Sequence, residues 1–112
     1  MTESLPTAIT TYLEAADPSR PADLDTLMSI FAADATVTDE GRTYRGDEIR
    51  AWREHTASEY TYTVELLGTE RIDDDHYVLT NHLEGDFPGG QVNLKYRFAL
   101  RDDLITSLEI AP

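Results

Sequence analysis

From Tyr60 onward the sequence alternates with a period of two, interrupted only by turn chemistry, and few folds can bury the face that this pattern presents. Segments 60–72, 76–87, 91–101 and 104–110 read as strands. They are separated by Asp73-Asp74-Asp75, Phe87-Pro88-Gly89-Gly90 and Asp102-Asp103, all residues that favour turns. Connections this short make the strands consecutive antiparallel hairpins. A sheet with one apolar face needs a second layer, and the N-terminal half has the periodicity to supply it.

Ser4-Leu5-Pro6 reads as a helix start, and Leu5, Ile9, Tyr12, Leu13 and Ala16 follow at helical spacing until Asp17-Pro18. A second start at Arg20-Pro21-Ala22 leads into the stripe Leu24, Leu27, Met28 and Phe31. After Asp34 the period changes to two. Ala35, Val37 and Asp39 then share one side of a short strand, Thr36 and Thr38 take the other, and Glu40-Gly41 turns the chain into Arg42-Thr43-Tyr44. Gly46-Asp47-Glu48 opens a third helix whose inner face carries Ile49, Trp52 and Thr56. The expectation is an α+β domain spanning residues 1–112: a cone-shaped α+β barrel with a strongly curved, mostly antiparallel sheet covered on one face by three helices. Such a sheet leaves a cavity at its wide end suited to a small apolar ligand, and its uncovered face is the expected homodimer surface.

Composition narrows the partners. The 112 residues hold 9 Lys and Arg against 22 Asp and Glu, a net charge of −13, which argues against nucleic acid and against an anionic membrane surface. With 40% hydrophobic residues the chain is globular in composition despite its charge, and its length suits one core. The absence of cysteine excludes disulfides, thiolate metal sites and a cysteine nucleophile. No apolar run approaches a membrane span and the first residues carry no basic, apolar leader pattern, so a cytoplasmic location is expected. No metal or other cofactor is indicated. His76 and His82 are six residues apart on one strand, roughly 20 Å at strand rise, and cannot share a zinc ion. The Asp73–Asp75 run lacks the alternation of a calcium loop, and Gly89-Gly90 does not open a helix that could cradle phosphate.

The stretches Phe31-Ala32-Ala33-Asp34-Ala35-Thr36-Val37-Thr38-Asp39, Tyr44-Arg45-Gly46 and Tyr96-Arg97-Phe98-Ala99-Leu100-Arg101-Asp102-Asp103-Leu104-Ile105 resemble the nuclear-transport-factor-like superfamily, and within it the SnoaL-like polyketide cyclase and ketosteroid isomerase branch. The resemblance runs from about Leu5 to Ile110. It implies that Tyr12 is similar to an oxyanion-hole tyrosine on the first helix and Asp39 to the carboxylate that moves a proton; the chemical logic is that of ketosteroid isomerase, a known case of pKa tuning. It also places Asn93 where the isomerases carry a protonated Asp, and an amide can donate there without tuning. On a regular strand, however, Asn93 shares its side with Lys95 and Arg97, and only a bulge would turn it inward.

The candidate catalytic pair is therefore Asp39 and Tyr12, with Phe31, Val37, Trp52, Tyr62, His82 and Asn93 as candidate pocket residues. Each has a plainer alternative. Asp39 beside Glu40-Gly41 could cap a turn, Tyr12 and Trp52 could be core, and His82, alternating with Val78, Thr80 and Glu84, faces either the pocket or the dimer surface. Three functions stay open: a cofactor-independent isomerase or cyclase acting on a steroid-like, polyketide-like or terpenoid carbonyl compound, a non-catalytic dimeric module holding an apolar ligand, and a protein-interaction subunit using the exposed sheet face.

Overall fold

The computed structural model describes residues 5–17, 23–59 and 61–112. Its elements run α1 Thr7–Ala15, α2 Leu24–Ser29, β1 Phe31–Asp39, β2 Arg42–Arg45, α3 Asp47–Glu59, β3 Tyr62–Asp73, β4 His76–Gly85, β5 Gln91–Arg101 and β6 Leu104–Ala111. The α+β class and the succession of hairpins agree with the periodicity. The helix starts expected at Ser4 and at Arg20-Pro21-Ala22 lie outside the described residues, as does Tyr60. In α1 the Pro6 carbonyl accepts from the backbone N–H groups of Ile9 and Thr10 at 3.0 and 3.1 Å. Asp23 caps α2, one carboxylate oxygen accepting from the Thr26 N–H at 3.1 Å and the other from its hydroxyl at 2.7 Å.

Phe31 corrects the sequence reading: it opens β1 instead of closing the α2 stripe. The reason is long-range. The Ile105 N–H donates to the Ile30 carbonyl at 2.8 Å and Phe31 pairs with Ile105, so β6 draws the chain into extended form as soon as α2 ends. A bulge between Phe31 and Thr36 absorbs the mismatch, leaving Ala33 and Asp34 exposed and Asp34 paired with Arg101 at 3.1 Å.

Six strands form one sheet in the order β2-β1-β6-β5-β4-β3, with β1 and β6 parallel and every other pair antiparallel. Further bulges at Leu66/Gly68, Arg71/Asp73 and Ala99/Leu100 curve the sheet. It does not close: β2 and β3 are its two edges, so the expected barrel is an open curved sheet. Val37, Leu79, Phe98, Leu108 and Ile110 on the inner face pack with Ala8, Ile9 and Tyr12 of α1, Leu27 of α2, and Ile49 and Trp52 of α3 in one core. Each such large side chain contributes about 1.5–3 kcal/mol by leaving water, which is what holds three short helices on the sheet.

Candidate functional site

A cavity of about 370 Å³ lies between the inner sheet face and the helices. Tyr12 reaches it from α1, Asp39 and Glu40 from the β1–β2 turn, Trp52, Arg53, Thr56 and Glu59 from α3, and Tyr62 from β3. Leu83, Val92, Leu94 and Ile110 make its wall apolar, and Phe87 and Pro88 of the β4–β5 loop stand at its edge. A second lobe of about 150 Å³ shares Tyr12, Arg53, Tyr62 and Tyr96 as walls and adds Leu13, Ala16, Asp17, Val64, Leu66 and Asn81.

Local rules explain why Asp39 sits where it does. Glu40 and Gly41 both adopt positive φ, 52° and 77°, the two-residue turn whose twist matches a hairpin, so β1 ends at Asp39 opposite Arg42. Period-two alternation from Ala35 through Val37 puts the Asp39 carboxylate on the helix-facing side. Its Oδ2 accepts from the Trp52 indole N–H at 3.0 Å, while Oδ1 receives no hydrogen bond from any described residue. Trp52 is itself buried and leans on Tyr44, with ring centroids 6.2 Å apart.

Tyr12 is 3% exposed, with its ring edge-on to Phe31 and Phe98 at 6.4 and 5.4 Å. Burial, followed by the neighbouring Tyr96 phenol, pushes its pKa well above the usual tyrosine value, although the Arg53 guanidinium pulls the other way. The phenol is thus a neutral O–H donor, and no described residue hydrogen-bonds it. Burial raises Tyr96 too.

Arg53 and Asn81 are the residues that the sequence reading missed. Arg53 is 6% exposed; one Nη donates to the Tyr62 hydroxyl at 3.1 Å, the other to the Ala16 carbonyl at 2.9 Å, and Nε is buried without a partner. No carboxylate among the described residues pairs with it. An unpaired buried ion carries a desolvation cost of several kcal/mol. Asn81, 1% exposed, likewise has a buried Oδ1 with no partner. Both signals stood in the sequence. Arg53 is the i+4 neighbour of Ile49 on the inner stripe of α3, and Asn81 alternates with Leu79 and Leu83 on the inward side of β4.

The other expected pocket residues divide. Trp52 and Tyr62 line the cavity, whereas Phe31 and Val37 are buried in the core behind it. His82 and Asn93 line neither lobe. They are directly opposite each other in the β4–β5 ladder, whose register runs without a shift from His76 to Glu84, so no bulge turns Asn93 inward. On the outer face His82 Nδ1 meets Asn93 Oδ1 at 2.5 Å and Nε2 meets Glu84 Oε1 at 3.0 Å; these contacts, the Asn93 one foremost, raise the imidazole pKa. A wider hollow of about 740 Å³ on that face is lined by Thr80, Lys95, Arg97 and Glu109 together with Ile72 and Val78. Among the described residues no three acidic or histidine side chains gather as a metal site.

Comparison with solved structures finds a candidate polyketide cyclase from Sinorhizobium meliloti, 33% identical, covering 96% of this chain and 95% of that one with a TM-score of 0.86. A hypothetical protein of ketosteroid isomerase-like fold from Catenulispora acidiphila, crystallised with trimethylamine, is 23% identical over 97% of this chain and 87% of its own, with a TM-score of 0.81. TerC, co-crystallised with polyporic acid, shares the fold at 15% identity, covering 93% of this chain and 87% of its own, with a TM-score of 0.76. No family model and no curated protein matches the sequence.

Proposed function

The chain belongs to the SnoaL-like family of polyketide cyclase-like and ketosteroid isomerase-like proteins, and from that premise we propose that its cavity binds a small enolisable carbonyl compound and moves a proton on it without a cofactor. One observation carries this reading: the Tyr12 hydroxyl and Asp39 Oδ1, neither hydrogen-bonded by a described residue, belong to side chains that line the same largely apolar cavity. Asp39 takes a proton from the carbon next to the carbonyl, the C–H electron pair becomes the enolate, and the neutral Tyr12 phenol donates to the oxygen where charge develops. Trp52 holds the other Asp39 oxygen, aiming the reacting one. The enolate then takes the proton back from Asp39 at a different carbon, an isomerisation, or attacks a second carbonyl in the same molecule, whose alkoxide Asp39 protonates, a cyclisation. Both outcomes balance without any redox partner.

The test is deuterium incorporation at the α carbon of a panel of ketones, unsaturated steroids and polyketide mimics. Wild type exchanges at least one member above the solvent background, and Asp39→Asn lowers that rate by about 10²–10⁴-fold. Background exchange throughout the panel, in protein that binds one of its members, overturns catalysis and leaves a ligand-binding module.

A further inference from the structure

The second lobe contains a guanidinium that no carboxylate of the described residues pairs with, although the half-buried Asp17 also lines that lobe. A guanidinium stays protonated even when buried, and the two acceptors that Arg53 finds, the Tyr62 hydroxyl and the Ala16 carbonyl, are neutral. Its Nε–H is buried and unused. Asn81 Oδ1, an acceptor without a donor, lines the same lobe of about 150 Å³. Two unpartnered polar groups more than nine-tenths buried describe the missing ligand: an anionic oxygen for Arg53 and a hydroxyl hydrogen for Asn81. Asp17 in this lobe and Asp39, Glu40 and Glu59 in the larger one line the same hollows as Arg53, yet none of them forms an ion pair with it.

We propose that Arg53 and Asn81 form a carboxylate anchor, and that the ligands of this cavity are keto acids in which a hydroxyl or an enol neighbours the acid or the chain that bears it. The proposal rests on the proposed function for the position of the reacting carbonyl, which lies toward Tyr12 and Asp39 in the larger lobe while the carboxylate occupies the smaller one. Tyr12, Tyr62 and Tyr96 line both lobes, and in this proposal one molecule reaches past them from anchor to base. Apolar steroids or terpenoids without an acid group leave the guanidinium uncompensated and bind poorly.

Trp52, the only tryptophan of the chain, reports binding by its fluorescence. The probes are benzoylpropionate and benzoylbutyrate, each against its primary amide, which keeps shape and carbonyl but removes the charge. Each acid is expected to bind at least tenfold tighter than its amide. Arg53→Gln abolishes that preference, and Arg53→Lys retains part of it. Because Arg53 bridges α3 to the end of α1, the second variant is the isosteric Asn81→Asp, which keeps the Arg53 hydrogen bonds and sets a carboxylate in the same lobe. In protein shown to be folded by its thermal unfolding, it is expected to reverse the preference toward the amides. Equal binding of acid and amide by wild type, no binding of either, or an acid preference that survives Asn81→Asp would overturn the anchor. Acid preference without α-proton exchange would instead overturn only the catalytic reading, and exchange of neutral ketones with no acid preference only the anchor.

Discussion

At the scale of single residues, Tyr12 separates chemistry from stability. Its hydroxyl makes no hydrogen bond to a described residue, while its ring packs on Phe31 and Phe98. Tyr12→Phe is therefore expected to change unfolding free energy by less than about 0.5 kcal/mol, yet to lower proton exchange by about 10²-fold through loss of the oxyanion donor. Urea titration beside the exchange assay measures both. His82 shows the opposite case, a titratable residue outside the site. Its folded pKa is raised above the ordinary 6.5, so the stability it adds is complete below that value and is lost as pH rises through the folded pKa. NMR titration should give His82 a midpoint above 6.5, and Asn93→Ala should bring it back toward the ordinary value because the largest cause of the shift is removed. A midpoint at or below 6.5 in wild type would refute the outer-face network.

Among the elements, α3 and the start of β3 decide how the cavity is shaped. Thr61 and Asp86 bond reciprocally, the Asp86 N–H to the Thr61 carbonyl at 3.1 Å and the Thr61 N–H to the Asp86 carboxylate at 2.9 Å, clamping the β4–β5 loop to the entry of β3. Gly85 permits this approach. A methyl group there would meet the Thr61 carbonyl oxygen and the Tyr62 Cβ, backbone and stem atoms that cannot swing away. Gly85→Ala is expected to cost about 1–3 kcal/mol and to weaken ligand binding by displacing Tyr62, the partner of Arg53. Gly68→Ala is the control: its added methyl meets open space, and thermal unfolding should barely move. A Gly85→Ala protein as stable as wild type would show that the clamp tolerates a wider spacing.

For the whole molecule, an open sheet leaves one face and two edges uncovered. β3 is an edge strand on which Leu67 and Ile72 are 52% and 56% exposed, and Ile72 also borders the outer hollow beside Thr80 and Lys95. A second copy covering that face is the expected arrangement, so sedimentation should find about twice 12.6 kDa at micromolar concentration. Two copies at −13 each repel, hence salt should strengthen the association, and Ile72→Asp should weaken it. A monomer at every ionic strength would leave the outer face as an ordinary solvated surface.

What the sequence determined by itself is whatever depends on near neighbours. The hairpins, the three helices, the inward phase of Tyr12, Asp39 and Trp52, and the outward phase of Asn93 follow from spacings of two, three and four residues, because alternation and helical pitch are local properties of the backbone. The resemblance to isomerases pulled Asn93 toward the pocket, and the local rule proved the better guide, since the β4–β5 ladder has no bulge there. Strand order was not legible. β6 lies parallel to β1 with α3 and four strands between them in the chain, a pairing that only long-range packing selects, and it is this pairing that converts Phe31 from helix to strand. The counterpart at the site is Arg53. Its inward phase could be read from Ile49, but whether a carboxylate waits for it depends on what α1, β3 and β4 bring from far along the chain. The acceptors they bring within its reach, the Ala16 carbonyl and the Tyr62 hydroxyl, are neutral, and Asp17, which lines the same lobe, does not pair with it, so a buried positive charge is left for a ligand to meet.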